Sequence, residues 1–308
     1  MKLKSLITTI ILLILALLLA FYIKNNLSDF SSLSLVSPYL IIFLIILFIF
    51  NYFILGLLTK YLISPLNVKI GFFESFQIAV VTGFYNLITP FRGGMAARAV
   101  YLKKKHDFSY SDFFASLSAS YVIMFFIAGL IGLITSYFIY MKTGEFNIII
   151  FFVFLITFLG MISIIIFSPR LPKTRSSFIN KFINVVNGWT LIKNNKKIIL
   201  VISILTLIQT FVSALSGYLS FHVFGIEISF IEALFLTSIG TISIIIAVTP
   251  ANLGIGEAIG VFSALTLGIT PAQSLTVAVL GRAISFITLF IMGPVFSYKL
   301  IHHKPTKP

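Results

Sequence analysis

The sequence predicts an all-α integral membrane protein, built as a single transmembrane domain over residues 1–308, and three observations favour this class. The chain is 59% hydrophobic and only 10% charged, whereas soluble domains carry roughly 25% charged residues. Its mean hydropathy is +1.10. Several apolar stretches with almost no charge reach the roughly 18 to 20 residues that a helix needs to cross a bilayer. The chain has no cysteine, which excludes disulfides, thiolate metal sites and catalytic thiols.

Six apolar runs are long enough to cross the membrane. The first follows Lys2 and Lys4 and has some character of a signal peptide, but no A-x-A cleavage site follows it, so we interpret it as an uncleaved anchor. The predicted spans are 5–23, 38–58, 112–139, 147–167, 198–223 and 272–297.

Two shorter apolar segments, 71–89 and 230–248, each end at a Thr-Pro pair that is followed by glycines. Proline stops a helix and glycine lets the chain reverse. We therefore predict that each segment is the first arm of a hairpin, with Pro90 and Pro250 as hinges.

The net charge of +14 does not indicate nucleic-acid binding, because the basic residues lie mainly in short connections between apolar runs, where they orient helices and attract anionic lipids. If both hairpins re-enter, 17 of the 22 Lys and Arg residues share one side with the N-terminus. The other side holds only Lys24 and Lys142, and Arg92, Arg98 and Arg282 lie at membrane depth. The positive-inside rule therefore predicts about six full spans, two re-entrant helical hairpins and cytoplasmic termini in the cell membrane.

The two hairpins resemble each other in sequence order. Each has a short apolar helix, Thr-Pro, a glycine-rich turn, a helix and a full span, and Glu74 and Glu232 occupy matching positions. Three predicted spans separate the hairpins, so the second copy would be inverted. We predict repeat cores at 60–140 and 225–298, an arrangement typical of alternating-access transporters.

The segment 168–197 is rich in Lys and Arg and is predicted to be a cytoplasmic basic linker. Its apolar residues recur at helical spacing, which favours an amphipathic helix lying on the membrane surface, where it would gather anionic lipid. These residues are Phe178, Phe182, Val185, Trp189 and Ile192.

Non-helical backbone inside a bilayer is tolerated only where it is buried in protein or lines a wet cavity. A helix that begins after such a turn presents backbone N–H groups to anions such as phosphate. The turn residues predicted to contact substrate are Gly93, Gly94, Asn252, Gly254 and Gly256. Helix packing is an alternative for a small-residue stripe of Gly256, Gly260 and Ala264.

Four charged residues at membrane depth indicate a functional site more strongly than the turn residues do: Arg92, Arg98, Glu257 and Arg282. Ionisable groups in this position are costly and indicate a functional site by default, and arginine suits bidentate binding of phosphate. Two structural alternatives remain open. Arg98 could extend to the membrane interface, and Glu257 with Arg282 could form a structural ion pair.

Three motifs resemble the flippase-like transmembrane domain of lysylphosphatidylglycerol synthases and related stand-alone proteins. They are PFRGGMAAR at 90–98, TPANLGIGEA at 249–258 and GRAISF at 281–286. The resemblance extends from about 5 to 298 and implies movement of a phospholipid, an aminoacylated lipid or a polyprenyl-type glycolipid between leaflets.

This chain departs from the family pattern at three positions. Many members have Glu where this chain has Met95, and an acidic-basic pair where it has Ser120 and Tyr121. A charge relay through those carboxylates would be absent here. No soluble synthase domain follows Pro308, so we do not expect lipid aminoacylation.

The leading hypothesis is a flippase-like transporter, with membrane lipids, chiefly anionic, as partners and with no cofactor or metal. One alternative is a membrane-embedded glycosyl- or phosphotransferase, but the carboxylates at Asp29, Glu145, Glu227 and Glu232 are scattered and His222 stands alone. Another is a non-transporting scaffold for envelope-lipid synthesis. The sequence leaves open whether the chain acts alone or as a homo-oligomer.

Overall fold

The computed structural model describes Lys24 and residues 33–302, apart from Asn67, 90–91, 169–170, Lys173, Ser176, 247–248 and 250–251. The predicted first span at 5–23 and the hinges Pro90 and Pro250 lie outside the described residues. All regular structure in the described part is helical.

Ten α-helices follow one another along the described chain. They are α1 (Leu40–Ile63), α2 (Phe72–Ile88), α3 (Gly93–His106), α4 (Tyr110–Thr143), α5 (Ile148–Phe167), α6 (Ser177–Ile192), α7 (Lys196–Val223), α8 (Phe230–Ser243), α9 (Ile255–Leu265) and α10 (Pro271–His302).

Five of the described helices are long and apolar enough to cross a membrane, and they correspond to the last five predicted spans. They are α1 with its short 3₁₀ extension to Leu66, α4, α5, α7 and α10. The prediction of a multi-pass, all-helical membrane protein is therefore confirmed. The longest, α4, has 34 residues and so measures about 50 Å, which exceeds the roughly 30 Å hydrocarbon core. Its ends must extend beyond that core.

Helices α2 and α3 form hairpin A, which returns to the end of the bundle where it begins. The carboxylate of Glu74, in the first turn of α2, lies 2.7 Å from Nε2 of His106 at the end of α3. Tyr101 donates a second hydrogen bond of 2.7 Å to the same oxygen. The ends of α1 and α10 meet this hairpin in a buried cluster that includes Ile63, Leu102 and Leu300.

Helices α8 and α9 form hairpin B, which begins and ends at the opposite end of the bundle. Ala233 near the start of α8 and Ala264 near the end of α9 share a buried cluster with Phe221 at the end of α7. Nζ of Lys142, at the end of α4, lies 3.2 Å from Oε1 of Glu232. The two hairpins therefore enter the bundle from opposite ends, as an inverted repeat requires. The repeat boundaries 60–140 and 225–298 stay predictions.

The matching glutamates Glu74 and Glu232 have the same local role. Each carboxylate accepts a hydrogen bond from the backbone N–H that precedes its helix, at 3.4 Å from Gly71 and at 2.6 Å from Ser229. This is the glutamate half of a capping box, which satisfies otherwise unpaired N–H groups at a helix start. Helix capping thus explains why the sequence similarity of the hairpins includes this position.

The two predicted repeats pack reciprocally, each hairpin against a long helix of the other repeat. Helix α2 of hairpin A lies against α10, and α8 of hairpin B lies against α4. A Cβ on Gly56 of α1 would lie 2.9 Å from the backbone of Phe76, so α1 and α2 touch at backbone level. Phe154 of α5 and Phe235 of α8 pack edge to face with ring centres 5.7 Å apart.

The amphipathic helix predicted within 168–197 is present as α6 and packs against the bundle, and its position at the membrane surface stays a prediction. Its apolar residues Trp189 and Ile192 are 3% and 1% exposed and join a core cluster formed with α1, α4 and α7. A Cβ on Gly188 would lie 2.6 Å from Cβ of Ser118, so α6 presses closely on α4. The described part of the apolar face of α6, at Trp189 and Ile192, is therefore covered by neighbouring helices.

Candidate functional site

A cavity of about 310 Å³ lies between hairpin A and the spans α1, α4 and α7, and its wall reaches Ile244 just beyond α8. Among the residues that line it, those with polar side chains are Tyr52, Thr59, Thr82, Asn86, Arg92, Arg98, Ser120, Tyr121, Thr206 and Gln209. The cavity therefore lies beside hairpin A, and among its described lining residues only Ile244 belongs to the second predicted repeat.

Arg92 reaches this cavity from an unusual backbone position. It precedes the first residue of α3 with φ 56° and ψ 49°, in the left-handed region that few non-glycine residues adopt. Its Nη1 donates a hydrogen bond of 2.7 Å to the hydroxyl of Tyr121 on α4. Tyr121, one of the positions where the chain departs from the family pattern, therefore holds Arg92 in place.

Arg98, less than two helical turns along α3, is only partly satisfied by protein. Its guanidinium carbon lies 5.6 Å from the ring centre of Phe113, within the range of a cation–π contact. Its Nε is buried and has no hydrogen-bond partner among the described residues. A buried donor without a partner costs roughly 1–3 kcal/mol. Arg98 lines both this cavity and a groove that opens at the surface of the bundle, so the alternative in which it extends to the membrane interface stays open.

The described side chains that line the cavity carry a net positive charge. Among the described residues that line it two are arginine and none is Asp or Glu. Asn86 adds a buried side-chain amide oxygen that also lacks a hydrogen-bond partner within the described part of the chain. Unpaired guanidinium groups are expensive in a membrane protein. An anion that also offers a hydrogen-bond donor would satisfy both sets of groups.

Gly93 and Gly94 allow α3 to approach α2. A Cβ on Gly94 would overlap the carbonyl oxygen of Thr82, and one on Gly93 would overlap the side chain of Thr89. Both glycines therefore have a packing role within hairpin A. Their contact with substrate stays a prediction.

The predicted residues of hairpin B form a separate network and do not line this cavity. Oε2 of Glu257 accepts a hydrogen bond of 2.7 Å from the N–H of Gly254 and so caps α9. Its Oε1 accepts from Nε and Nη2 of Arg282, at 2.7 Å and 2.6 Å. The ion pair left open by the sequence is therefore formed, and it stabilises the turn of hairpin B.

The turn itself contains two left-handed residues, Asn252 with φ 59° and Gly254 with φ 79°. The side-chain oxygen Oδ1 of Asn252 is buried without a partner among the described residues, and a Cβ on Gly256 would lie 3.1 Å from Nδ2 of Asn252. A Cβ on Gly260 would meet none of the described atoms within 4 Å. Close packing therefore does not account for Gly260.

Sequence reasoning missed the amides that surround the cavity. Gln209 of α7 lines it and donates to Asn51 of α1 at 3.2 Å, and Asn51 donates to Ser213 at 2.8 Å. An amide inside a long apolar run was the available signal, because such a group needs a partner within the bundle. No three His, Asp or Glu side chains come together as metal ligands in the part of the chain that was placed.

Fold and site together define a multi-pass helical membrane protein with an arginine-lined cavity beside the helix pair α2 and α3. The family model described as "Lysylphosphatidylglycerol synthase TM region" matches residues 5–293, and the chain belongs to this family. The family resemblance is therefore confirmed. No curated protein matches the chain. Family and architecture fit a membrane protein tied to lipid metabolism.

Proposed function

We propose that this protein is a flippase-like transporter that moves an anionic phospholipid, an aminoacylated lipid or a lipid-linked glycan between leaflets of the cell membrane. One observation carries the proposal: two arginines line a cavity beside hairpin A, and none of the described residues that line it is acidic. A lipid phosphate complements both guanidinium groups through charge-assisted hydrogen bonds.

In this mechanism Arg92 and Arg98 hold the phosphate, and Asn86 and Gln209 bind polar groups of the head. The two predicted repeats rock against each other, with Pro90 and Pro250 as hinges. This motion exposes the cavity to each leaflet in turn, as in other transporters with inverted repeats. The Glu257–Arg282 pair acts as the gate on the side of hairpin B. The basic end of the bundle, with Lys103–Lys105, faces the cytoplasm.

Lipid movement in proteoliposomes tests the proposal. Wild-type protein, Arg92→Ala and the control Arg175→Ala, which changes an exposed arginine between α5 and α6, would be compared on labelled phosphatidylglycerol and phosphatidylcholine. Losing a charge-assisted contact of roughly 1.5–3 kcal/mol slows transport by about 10- to 100-fold in Arg92→Ala. The control retains wild-type rates.

Two results would contradict the proposal. Equal rates for wild type and Arg92→Ala would remove the phosphate from the cavity. A correctly assembled wild-type protein that moves neither phospholipids nor a polyprenyl-phosphate glycan would exclude transport and favour a scaffold. Turnover of a glycosyl or phosphoryl donor by that protein would instead favour the transferase alternative.

A further inference from the structure

A second cavity, of about 450 Å³, lies in a groove between α2, α3 and α10. Its lining has an apolar part and a cationic part, which match the acyl chain and the phosphate of a phospholipid. Ile78, Val81, Leu300 and Ile301 form an apolar trough. Arg98, Lys104 and Lys105 lie along the same groove on α3. The volume falls within the roughly 300–1,000 Å³ that is typical of small-molecule sites.

The trough is open at the outer surface of the helix bundle. Val100 of α3 and Ile301 of α10 line it and are 40% and 69% exposed. Apolar side chains exposed on a membrane protein contact acyl chains. A hydrocarbon chain could therefore lie in the groove without leaving the bilayer.

The groove shares a wall with the arginine-lined cavity. Arg98 and Thr82 line both spaces. Two polar atoms beside the groove, Nε of Arg98 and Oγ of Ser297, are buried without a hydrogen-bond partner among the residues that the structure describes. Phosphate and ester oxygens are acceptors that would satisfy both atoms.

We propose that this groove binds an anionic glycerophospholipid, with one acyl chain in the trough and its phosphate between Arg98 and Lys104. The inference rests on the proposed function and deepens it, because it makes the groove the lateral access route and a two-chain phospholipid the substrate. Charge complementarity selects the occupant: the cationic residues lie on one helix beside an apolar channel. Arg98 then passes the phosphate to Arg92.

Binding of fluorescent phosphatidylglycerol to the full chain in nanodiscs of phosphatidylcholine tests the groove, with two matched pairs of variants. Ala97 lines the groove and its neighbour Ala96 is exposed and does not. Ala97→Trp fills the trough and weakens binding by about 10-fold or more, since each methylene removed from contact costs roughly 0.8 kcal/mol, whereas Ala96→Trp binds as wild type.

Lys104→Gln and Lys103→Gln form the second pair. Lys103 does not line the groove, and its Nζ lies 2.6 Å from Asp107, where it holds the pKa of that carboxyl below its usual range. Lys104→Gln weakens binding about 5-fold, because each basic residue near anionic lipid contributes roughly 1 kcal/mol to the binding free energy. Lys103→Gln leaves the affinity unchanged, and phosphatidylcholine as the labelled probe shows no difference between the pair.

Different experimental results would contradict the groove inference and the proposed function. If Arg92→Ala abolishes phosphatidylglycerol transport but Ala97→Trp and Ala96→Trp bind and transport alike, the groove inference is overturned and the function stands. If Ala97→Trp alone loses binding while wild-type protein moves no lipid, the groove site stands and the transporter falls. Thermal unfolding of each variant identifies one that has simply lost its fold, and Val81→Trp on α2 then replaces Ala97→Trp.

Discussion

Arg92 and Arg98 lie close in sequence, yet the protein treats their guanidinium groups differently. Arg92 has a hydroxyl partner in Tyr121, whereas Nε of Arg98 is buried with none. A positioned donor beside an unsatisfied one suits a site that must bind an anion and also release it. Glu257 and Arg282 satisfy each other and hold a turn.

Tyr121→Phe removes the hydroxyl that holds Arg92 and adds no bulk. We expect phosphatidylglycerol transport to slow about 3- to 10-fold, because a typical hydrogen bond contributes roughly 0.5–1.5 kcal/mol. Tyr137→Phe, on the exposed face of α4, is the matched control. Indistinguishable rates for the two variants would show that Tyr121 does not position Arg92.

Glu257→Ala removes the cap of α9 and the carboxylate partner of Arg282. We expect a loss of about 1–3 kcal/mol of stability, measured as a lower thermal midpoint in detergent. Glu257→Gln keeps an oxygen for the N–H of Gly254 and should lose less. A midpoint unchanged in Glu257→Ala would mean that the pair is not structural.

At the scale of helices, glycine positions decide how closely the elements approach. Gly56 and Gly94 each face the backbone of α2, and Gly188 brings α6 against α4. Small residues permit such close contact in membranes, where packing drives helix association. Helix boundaries follow from capping and hydropathy, but the choice of partner follows from these contact points.

Gly56→Leu should separate α1 from α2 and destabilise the protein by about 1–3 kcal/mol, the usual cost of overpacking. Gly160→Leu on α5 is the control, since a Cβ there meets no described atom within 4 Å. Thermal unfolding followed by size-exclusion chromatography would measure both. Equal stability of the two variants would argue against backbone contact between α1 and α2.

The position of α6 can be tested by cross-linking, because the chain has no native cysteine. Ser118→Cys combined with Gly188→Cys should form a disulfide under mild oxidation, since a Cβ on Gly188 would lie 2.6 Å from Cβ of Ser118 and a shift of about 1 Å between the helices brings the two Cβ atoms to disulfide distance. Ser118→Cys with Arg175→Cys is the control pair. A helix that does not pack on α4 would leave both pairs unlinked.

At the scale of the whole molecule, basic residues gather where hairpin A begins and ends. The contact between Glu74 and His106 brings the two ends of this hairpin together. The ends of α1 and α10 lie beside it. This arrangement agrees with the charge distribution from which the two hairpins were predicted.

Single cysteines can test the proposed orientation in intact cells. Lys69→Cys and Asp107→Cys flank hairpin A at exposed positions and should both be protected from an impermeant maleimide. Glu145→Cys, beyond the end of α4, should react. If α2 crossed the membrane completely, positions 69 and 107 would lie on opposite sides and only one would be protected.

The amino-acid sequence by itself determined the membrane class and five of its spans, and it singled out the segments predicted as hairpins and the two arginines that line the cavity. These follow from local properties, because hydropathy depends on a run of neighbours and a charge inside an apolar run is costly wherever the helix packs. Only the tertiary structure decided that α6 packs on α4, that the Glu257–Arg282 pair lies apart from the cavity, and that Asn86, Tyr121 and Gln209 line it. Those facts depend on which helices meet and how closely, and residues distant in the chain set that contact together.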